Sequence, residues 1–152
     1  MQQTEALLEA WLKQRTILEK LLLAIPDHHA DFAPWDGAMT VSELAQHLGA
    51  SADMFIRVAK TGEGQIGMPQ TVDCPSMKEV HRIVREWTAK TTERFKTLTA
   101  EDLETVYHSP FPNLDGPRSK LVRLVIDHEI HHKGQLFVYA RILGVQELPF
   151  PL

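Results

Sequence analysis

The apolar residues of this chain recur with the 3.6-residue period of an α-helix along nearly its whole length. No segment between turn signals alternates apolar and polar residues as a half-buried strand would. Four long apolar stripes are separated by segments that contain Pro or Gly, and each stripe needs a surface to cover it. The sequence therefore predicts an all-α fold, and a four-helix bundle is the simplest arrangement that buries all four stripes.

Helix starts and stops divide the chain. The first helix is predicted over residues 3–25, where Pro26 stops it. The second begins at a capping box, Thr-Val-Ser-Glu at residues 40–43, and ends at Gly62 and Gly64. A second capping box, Ser-Met-Lys-Glu at residues 76–79, begins the third helix.

The remaining third of the chain holds a short helix and the last long one. Residues 99–102 resemble the cap of a short extra helix, and residues 107–116, rich in Pro, Asn, Asp and Gly, predict a loop. Pro117 suits the first turn of the last helix, which Gly144 ends. Connections of about 14 residues reach up to about 45 Å, longer than a 21-residue helix of about 32 Å, so crossovers and hairpins are both allowed. One domain over residues 1–152 is expected.

Composition excludes several classes of function. The formal net charge is −4 and the 16 Lys and Arg residues are scattered, which disfavours binding to nucleic acid. The N-terminal residues lack the basic region of a signal peptide, and the apolar run at residues 21–25 is too short to span a membrane. The single cysteine, Cys74, cannot form an intramolecular disulfide and fits a reducing compartment. We therefore expect a soluble, cytoplasmic protein with an unreactive cysteine.

Histidines provide the main functional signal. His128 and His132 lie one helical turn apart and can direct two imidazoles at one point, and His47 on the second helix is a third candidate. His131 shares a face with His128 as well, so the spacing leaves His131 and His132 as alternatives. A site with three ligands keeps positions open for substrate, and imidazoles suit Zn, Ni, Cu or Fe(II).

Two neighbours of these histidines allow other interpretations. Residues 128–132 also satisfy the H-E-x-x-H pattern of zinc metalloproteases, in which Glu129 would be the general base. Those enzymes need a third ligand downstream and a sheet, and only Glu147 follows, so Glu129 is expected on a solvated or partner-facing surface. Gly134 in mid-helix indicates close approach of another helix or of substrate.

Together these residues resemble the DinB/YfiT-like superfamily along almost the whole chain. The matching segments are the Trp35 region leading into residues 40–48, the helix start at residues 75–77, and His128-x-x-x-His132-Lys133-Gly134-Gln135. The family motif usually has Arg where this chain has Lys133. The resemblance implies that His47, His128 and His132 form the metal triad, and it implies a four-helix bundle with crossover connections and a homodimer.

Members of that superfamily include transferases that use low-molecular-weight thiols, such as bacillithiol-dependent S-transferases and mycothiol-dependent isomerases. The resemblance implies a Zn or Ni ion that lowers the pKa of a co-substrate thiol for attack on a small electrophile. Trp35, Gln135 and Tyr107 are candidate substrate contacts. The alternatives are a non-enzymatic metal-binding stress-response or interaction module, and a bundle with core histidines and no metal.

Overall fold

The computed structural model describes residues 2–152 and confirms the prediction of an all-α fold. Four long helices and one short helix account for most of the chain. They are α1 Gln3–Ala24, α2 Val41–Thr61, α3 Met77–Lys96, the short α4 Ala100–Glu104, and α5 Ser119–Ile142. Within the described residues, no helix combines the length and the apolar character needed to cross a membrane.

Helices that are consecutive in the chain do not all lie side by side. α1 packs mainly on α3 and α5, and α2 also packs on α3 and α5. The order around the bundle is therefore α1, α3, α2, α5, which puts α1 diagonally opposite α2 and α3 diagonally opposite α5. Two of the three long connections cross an end of the bundle, so the expected crossover topology is confirmed.

Capping explains where the helices begin and end. At the start of α2, Thr40 Oγ1 accepts from the Glu43 N–H at 3.1 Å, and Glu43 Oε2 accepts from the Thr40 N–H at 2.8 Å. Gly62 ends α2 with φ +71°, a left-handed conformation that favours glycine, and its N–H donates to the Val58 carbonyl at 2.8 Å. Both predicted signals are therefore present.

The second predicted capping box is only half formed. Ser76 Oγ accepts from the Glu79 N–H at 3.2 Å, which caps α3. The Glu79 carboxylate, however, accepts from Arg82 Nε at 2.9 Å and does not reach back to the Ser76 backbone. An arginine one turn along offers a charge-assisted bond, which is stronger than a bond from a neutral amide.

Part of the predicted loop at residues 107–116 is ordered as a β-ladder. Strand β1, Val106–Tyr107, pairs antiparallel with strand β2, Gly116–Pro117. Placing Pro117 in the first turn of the last helix was therefore wrong, because it ends β2 and α5 begins at Ser119. The Arg118 N–H donates to the Thr105 carbonyl at 2.9 Å, which closes the loop just before α5.

A layer of buried and half-buried polar side chains lies between two apolar clusters of the core. One cluster contains Leu18, Leu44, Leu136 and their neighbours, and the other contains Trp11, Phe55, Leu121 and theirs. Between these two clusters, each long helix contributes polar side chains. The layer formed in this way comprises Arg15 of α1, His47 and Ser51 of α2, Thr88 and Thr91 of α3, and His128, Glu129, His132 and Lys133 of α5.

Candidate metal centre

Three histidines converge where α2 packs on α5. His47 comes from α2, and His128 and His132 lie one turn apart on α5. Each offers a ring nitrogen, and these three nitrogens all lie within 4.8 Å of one another. The Nε2 atoms of His47 and His128 are 3.0 Å apart. The side chains can therefore share one small ion without a rearrangement of the helices.

A hydrogen bond on the outer side of the His132 ring selects the nitrogen that faces inward. His132 Nδ1 lies 2.7 Å from Gln135 Oε1, and because an amide oxygen can only accept, Nδ1 carries the proton. The Nε2 atom of His132 is then unprotonated and free to act as a ligand. On the other helix, His47 Nδ1 faces Ser51 Oγ at a longer distance of 3.4 Å.

Electrostatics keep these rings in the form that binds metals. Burial, followed by the proximity of the other imidazoles, lowers the pKa of His128 to about 3. Burial is also the main cause that lowers the pKa of His47 and of His132. Neutral imidazole is the ligand form, so the donor set fits a divalent ion of the kind that imidazole prefers.

His131, the alternative that the spacing left open, takes no part in the convergence. Its side chain is exposed on the outer face of α5, with its ring centroid 4.8 Å from that of His132. The group of potential ligands consists of His47, His128 and His132.

Two cavities adjoin the triad on different sides. The apolar cavity, of about 370 Å³, is lined by Trp35, Met39, Leu44, Val138 and Tyr139, together with His132 and Gln135. The polar cavity, of about 340 Å³, includes Glu43, His47 and Thr71 and shares Met39 with the first. Of the candidate substrate contacts, Trp35 and Gln135 therefore lie beside the triad. Tyr107 is buried in the apolar cluster of Trp11 and Phe55 and lines neither cavity.

Glu129 is the residue that sequence reasoning placed wrongly. It was expected on a surface, but it is 1% exposed and its two carboxylate oxygens accept from Arg15 at 2.6 and 2.9 Å. Arg15 is itself fully buried and also donates to Thr88 and to the Leu48 carbonyl. Glu129 is therefore bound in an ion pair and does not face the triad as a general base, which removes the metalloprotease interpretation.

A signal for this pair is present in the sequence. Arg15 follows Trp11 by four residues and precedes Leu18 by three, so it interrupts the apolar stripe of α1 at an inward position. A charged residue at such a position requires a buried partner of opposite charge.

The model of the DinB family matches this chain over residues 1–152. The chain belongs to the DinB family. Its sequence is 32% identical over 152 residues to the uncharacterized protein YjoA of Bacillus subtilis. The alignment covers 99% of this chain and 97% of YjoA. The resemblance stated from the motifs is therefore confirmed.

Solved DinB-like structures share the fold. The crystal structure of YjoA superposes with a TM-score of 0.81 at 28% identity, over 96% of this chain and 97% of YjoA. The crystal structure of a DinB-like protein from Bacillus cereus superposes with a TM-score of 0.75 at 23% identity, over 96% of this chain and 95% of that protein. YfiT from Bacillus subtilis is described as a probable metal-dependent hydrolase with an unusual four-helix bundle topology. Its structure superposes with a TM-score of 0.69 at 17% identity, over 95% of this chain and 89% of YfiT.

Lys133 stands where the family motif usually has an arginine, and its side chain has defined partners in the structure. Lys133 is buried, and its ammonium donates to Gln14 Oε1 and, at 2.8 Å, to the Pro151 carbonyl. It therefore fastens the C-terminal segment to α1 and α5. The next residue, Gly134, is exposed, and a Cβ built there meets nothing within 4 Å, so within the described chain no other helix makes the close approach that the glycine indicated, and approach of substrate or of a second chain stays a prediction.

Cys74 is buried, as expected of an unreactive cysteine. It is 4% exposed, and its thiol donates to the Ser76 carbonyl at 3.7 Å. Burial raises the pKa of this thiol, which disfavours the nucleophilic thiolate form.

Proposed function

We propose that this DinB protein is a metal-dependent transferase that activates a low-molecular-weight thiol for attack on an electrophile. In this proposal His47, His128 and His132 hold one divalent ion, with Zn or Ni as the candidates. The observation that carries it is the open side of the triad, where cavities of about 370 and 340 Å³ are lined mostly by residues that are not ligands. Three protein ligands beside open space characterise a catalytic site, whereas a structural zinc site has four.

The chemistry requires a thiolate at neutral pH. A bound divalent ion supplies this by lowering the pKa of a thiol that ligates it. The thiol proton would pass to solvent water, the sulfur would form a bond to the electrophilic carbon, and the bond to the leaving group would break with its electron pair going to the leaving group. The residues of the chain hold the ligands in place, and Gln135 fixes the ring of His132 through its 2.7 Å hydrogen bond.

A reducing location suits such a reaction, since a low-molecular-weight thiol must be available in reduced form. The chain has one cysteine, Cys74, and it is free. We propose that the protein acts in the cytoplasm.

A metal-dependent hydrolase is the second candidate, and it is favoured by the description of YfiT, which shares the fold. The same open triad would suit it. Because Glu129 is paired with Arg15, the general base of such a hydrolase would have to be a different residue. The third candidate is a non-enzymatic metal-binding module of a stress response, in which the ion maintains the fold or an interaction.

The first experiment measures bound metal by elemental mass spectrometry on tag-free protein. We expect about one Zn or Ni per chain. The ion should be lost in His47→Ala and His132→Ala and retained in His131→Ala, the matched control on the same helix. A folded wild-type protein that takes up neither ion would overturn the metalloenzyme proposal.

The second experiment separates the candidate functions. The metal-loaded protein is incubated with a model electrophile, with and without bacillithiol or another small thiol, and the adduct and the hydrolysis product are quantified. Adduct formation that needs both thiol and metal supports the transferase, and thiol-independent hydrolysis supports the second candidate. Loss of helix content on metal removal, with no turnover of either kind, supports the structural module.

We also propose a homodimer, formed through the exposed face of α5. Ile130, Gly134 and Val138 are four residues apart and form an exposed ridge, with Ile130 45% and Val138 51% exposed. Gly134 carries no side chain and has open space beside it, so a second helix can approach closely there.

Residue spacing supports a two-fold arrangement of this ridge. Ile130 and Val138 are each four residues from Gly134, and the exposed Asp127 and Arg141 are each seven residues from it. An antiparallel crossing of two α5 helices at Gly134 would therefore place Ile130 against the partner's Val138. It would also place Asp127 against the partner's Arg141, so the surface is self-complementary in charge.

Light scattering after size-exclusion chromatography tests the dimer at micromolar concentrations. We expect a dimer for the wild type and a monomer for Asp127→Arg, which places two arginines opposite each other. The charge-swapped double variant Asp127→Arg with Arg141→Asp should restore the dimer. A monomeric wild type, or a double variant that stays monomeric, would overturn this surface.

A further inference from the structure

The two cavities beside the triad differ in chemical character. The lining of the apolar cavity contains no carboxylate, ammonium or guanidinium group. Two of its polar groups are already bonded to protein atoms, because the Tyr139 hydroxyl donates to the Met39 carbonyl at 3.1 Å and His132 Nδ1 donates to Gln135 Oε1. The space therefore presents mainly aromatic and aliphatic surface to any ligand, and its polar lining groups are uncharged: the Gln135 amide, the His132 imidazole, the Tyr139 hydroxyl and the Trp35 indole.

The rim of this cavity exposes a large aromatic side chain. Trp35 is 66% exposed and lines the cavity, and Val138, which is 51% exposed in the single chain, lines it as well, with the partner's Ile130 beside it in the proposed dimer. Exposed apolar surface next to a concave site indicates a ligand-binding role more often than a structural one. A ligand in contact with these two residues would remove apolar surface of both from water.

The size and position of the cavity define what it can hold. Its volume of about 370 Å³ is at the lower end of ligand sites, which range from about 300 to 1,000 Å³, so it suits one aromatic ring or a short alkyl group. His132 is a wall of this cavity, His47 is a wall of the polar cavity, and Met39 lines both. The triad therefore lies between an apolar and a polar compartment.

We infer that the apolar cavity binds an uncharged aryl or short alkyl group, so that the electrophile is an apolar compound and the hydrophilic thiol occupies the polar cavity. This inference rests on the proposed transferase function. The polar cavity offers Glu43 and Thr71 to a hydrophilic co-substrate. The two compartments would bring an apolar and a polar substrate to the triad from different sides.

Ligand-observed fluorine NMR on metal-free protein tests the inference without any turnover. The probe is 4-fluorobenzyl alcohol, and the charged comparison compound is 4-fluorobenzoate. We expect saturable binding of the alcohol with a Kd on the order of 1 mM, as suits a fragment of this size. The benzoate should bind at least about tenfold more weakly, because its carboxylate would have to be desolvated.

Three variants assign the binding to this cavity. Val138→Asp introduces a carboxylate into the lining and should weaken binding of the alcohol about tenfold. Trp35→Ala, which removes an aromatic side chain from the lining, should also weaken it about tenfold. Ile130→Asp is the control, because Ile130 lies on the same exposed ridge of α5 but outside the cavity. Ile130→Asp changes the proposed dimer ridge as Val138→Asp does, but it adds no carboxylate to the cavity of its own chain. It should therefore leave the Kd of the alcohol unchanged within about twofold.

The outcomes separate this inference from the proposed function. No saturable binding of the alcohol to the wild type, or equal weakening in Ile130→Asp and Val138→Asp, overturns the apolar compartment. Neither result changes the metal content measured by mass spectrometry. Conversely, a protein that binds the probe in this cavity but takes up no ion would retain the compartment and lose the metalloenzyme proposal.

Discussion

Replacing Glu129 by Leu should destabilise the protein strongly, because it leaves the Arg15 guanidinium without its counter-charge in the middle of the bundle. Arg15 is 0% exposed and Glu129 is 1% exposed, and two hydrogen bonds of 2.6 and 2.9 Å join them. The guanidinium also donates at 3.1 Å to Thr88 Oγ1 and at 3.1 Å to the Leu48 carbonyl, so it bonds to α2, α3 and α5. It cannot move into solvent without separating these helices.

The magnitude follows from the burial of both charges. Removing one partner of a buried ion pair costs about 3–5 kcal/mol, because the remaining charge stays desolvated. Globular proteins have free energies of unfolding of about 5–15 kcal/mol, so Glu129→Leu should remove a substantial share. For a chain of this size, each kcal/mol corresponds to about 2–4 °C, so the Tm should fall by about 6–20 °C.

Urea unfolding of metal-free protein is the appropriate assay, because it excludes any stabilisation by a bound ion. Arg15→Met should be destabilising by a similar amount, since it leaves the Glu129 carboxylate unpaired. The double variant Arg15→Met with Glu129→Leu should be more stable than either single variant, because apolar side chains of similar volume can replace a buried pair. A loss below about 1 kcal/mol in Glu129→Leu, or additive losses in the double variant, would refute this reasoning.

Three further predictions concern other parts of the bundle. Gly49→Ala should lower the free energy of unfolding by about 1 kcal/mol despite better helix propensity, because its Cβ would lie 2.9 Å from Trp87 Cδ1; urea unfolding measures this. Burial raises the pKa of the Asp102 carboxyl, but hydrogen bonds from Lys60 and from the start of α4 outweigh it and hold that pKa below its usual value. The stabilisation by Asp102 is therefore present above pH 3.8 and lost as the pH falls through the folded-state pKa, so unfolding measured across acidic pH should show the deficit of Asp102→Asn shrinking there. Zinc at a hundred times its Kd should add about 2.7 kcal/mol and raise the Tm by about 5–11 °C in wild type, and a thermal scan of His132→Ala should show no such rise.

Local features of the fold were predictable because their causes lie within a few residues. Thr40 and Glu43 form the capping box that the sequence predicts, and Gly62 ends the helix as expected. Where a neighbour competes, the local rule is insufficient. Glu79 bonds to Arg82 instead of completing a capping box.

Burial of charge was harder to predict because it depends on distant partners. Arg15 and Glu129 are 114 residues apart in the chain, so neither residue's surroundings reveal the other. The spacing of His128 and His132 places both on one helix face, but only the packing of α2 against α5 brings His47 to them. The cavities depend in the same way on a loop, since Trp35 and Met39 come from the connection between α1 and α2.

The diagonal placement of α1 and α2 has a consequence for synthesis on the ribosome. The helices that cover most of α1 are α3 and α5, which begin at Met77 and Ser119, so the segments made before them leave most of its apolar stripe exposed. About 50 residues must follow α1 before α3 begins to appear, which at ordinary elongation rates takes about 3–10 s. During that interval the nascent chain exposes an apolar helix bearing Arg15, and this helix is the segment on which we expect chaperones to act.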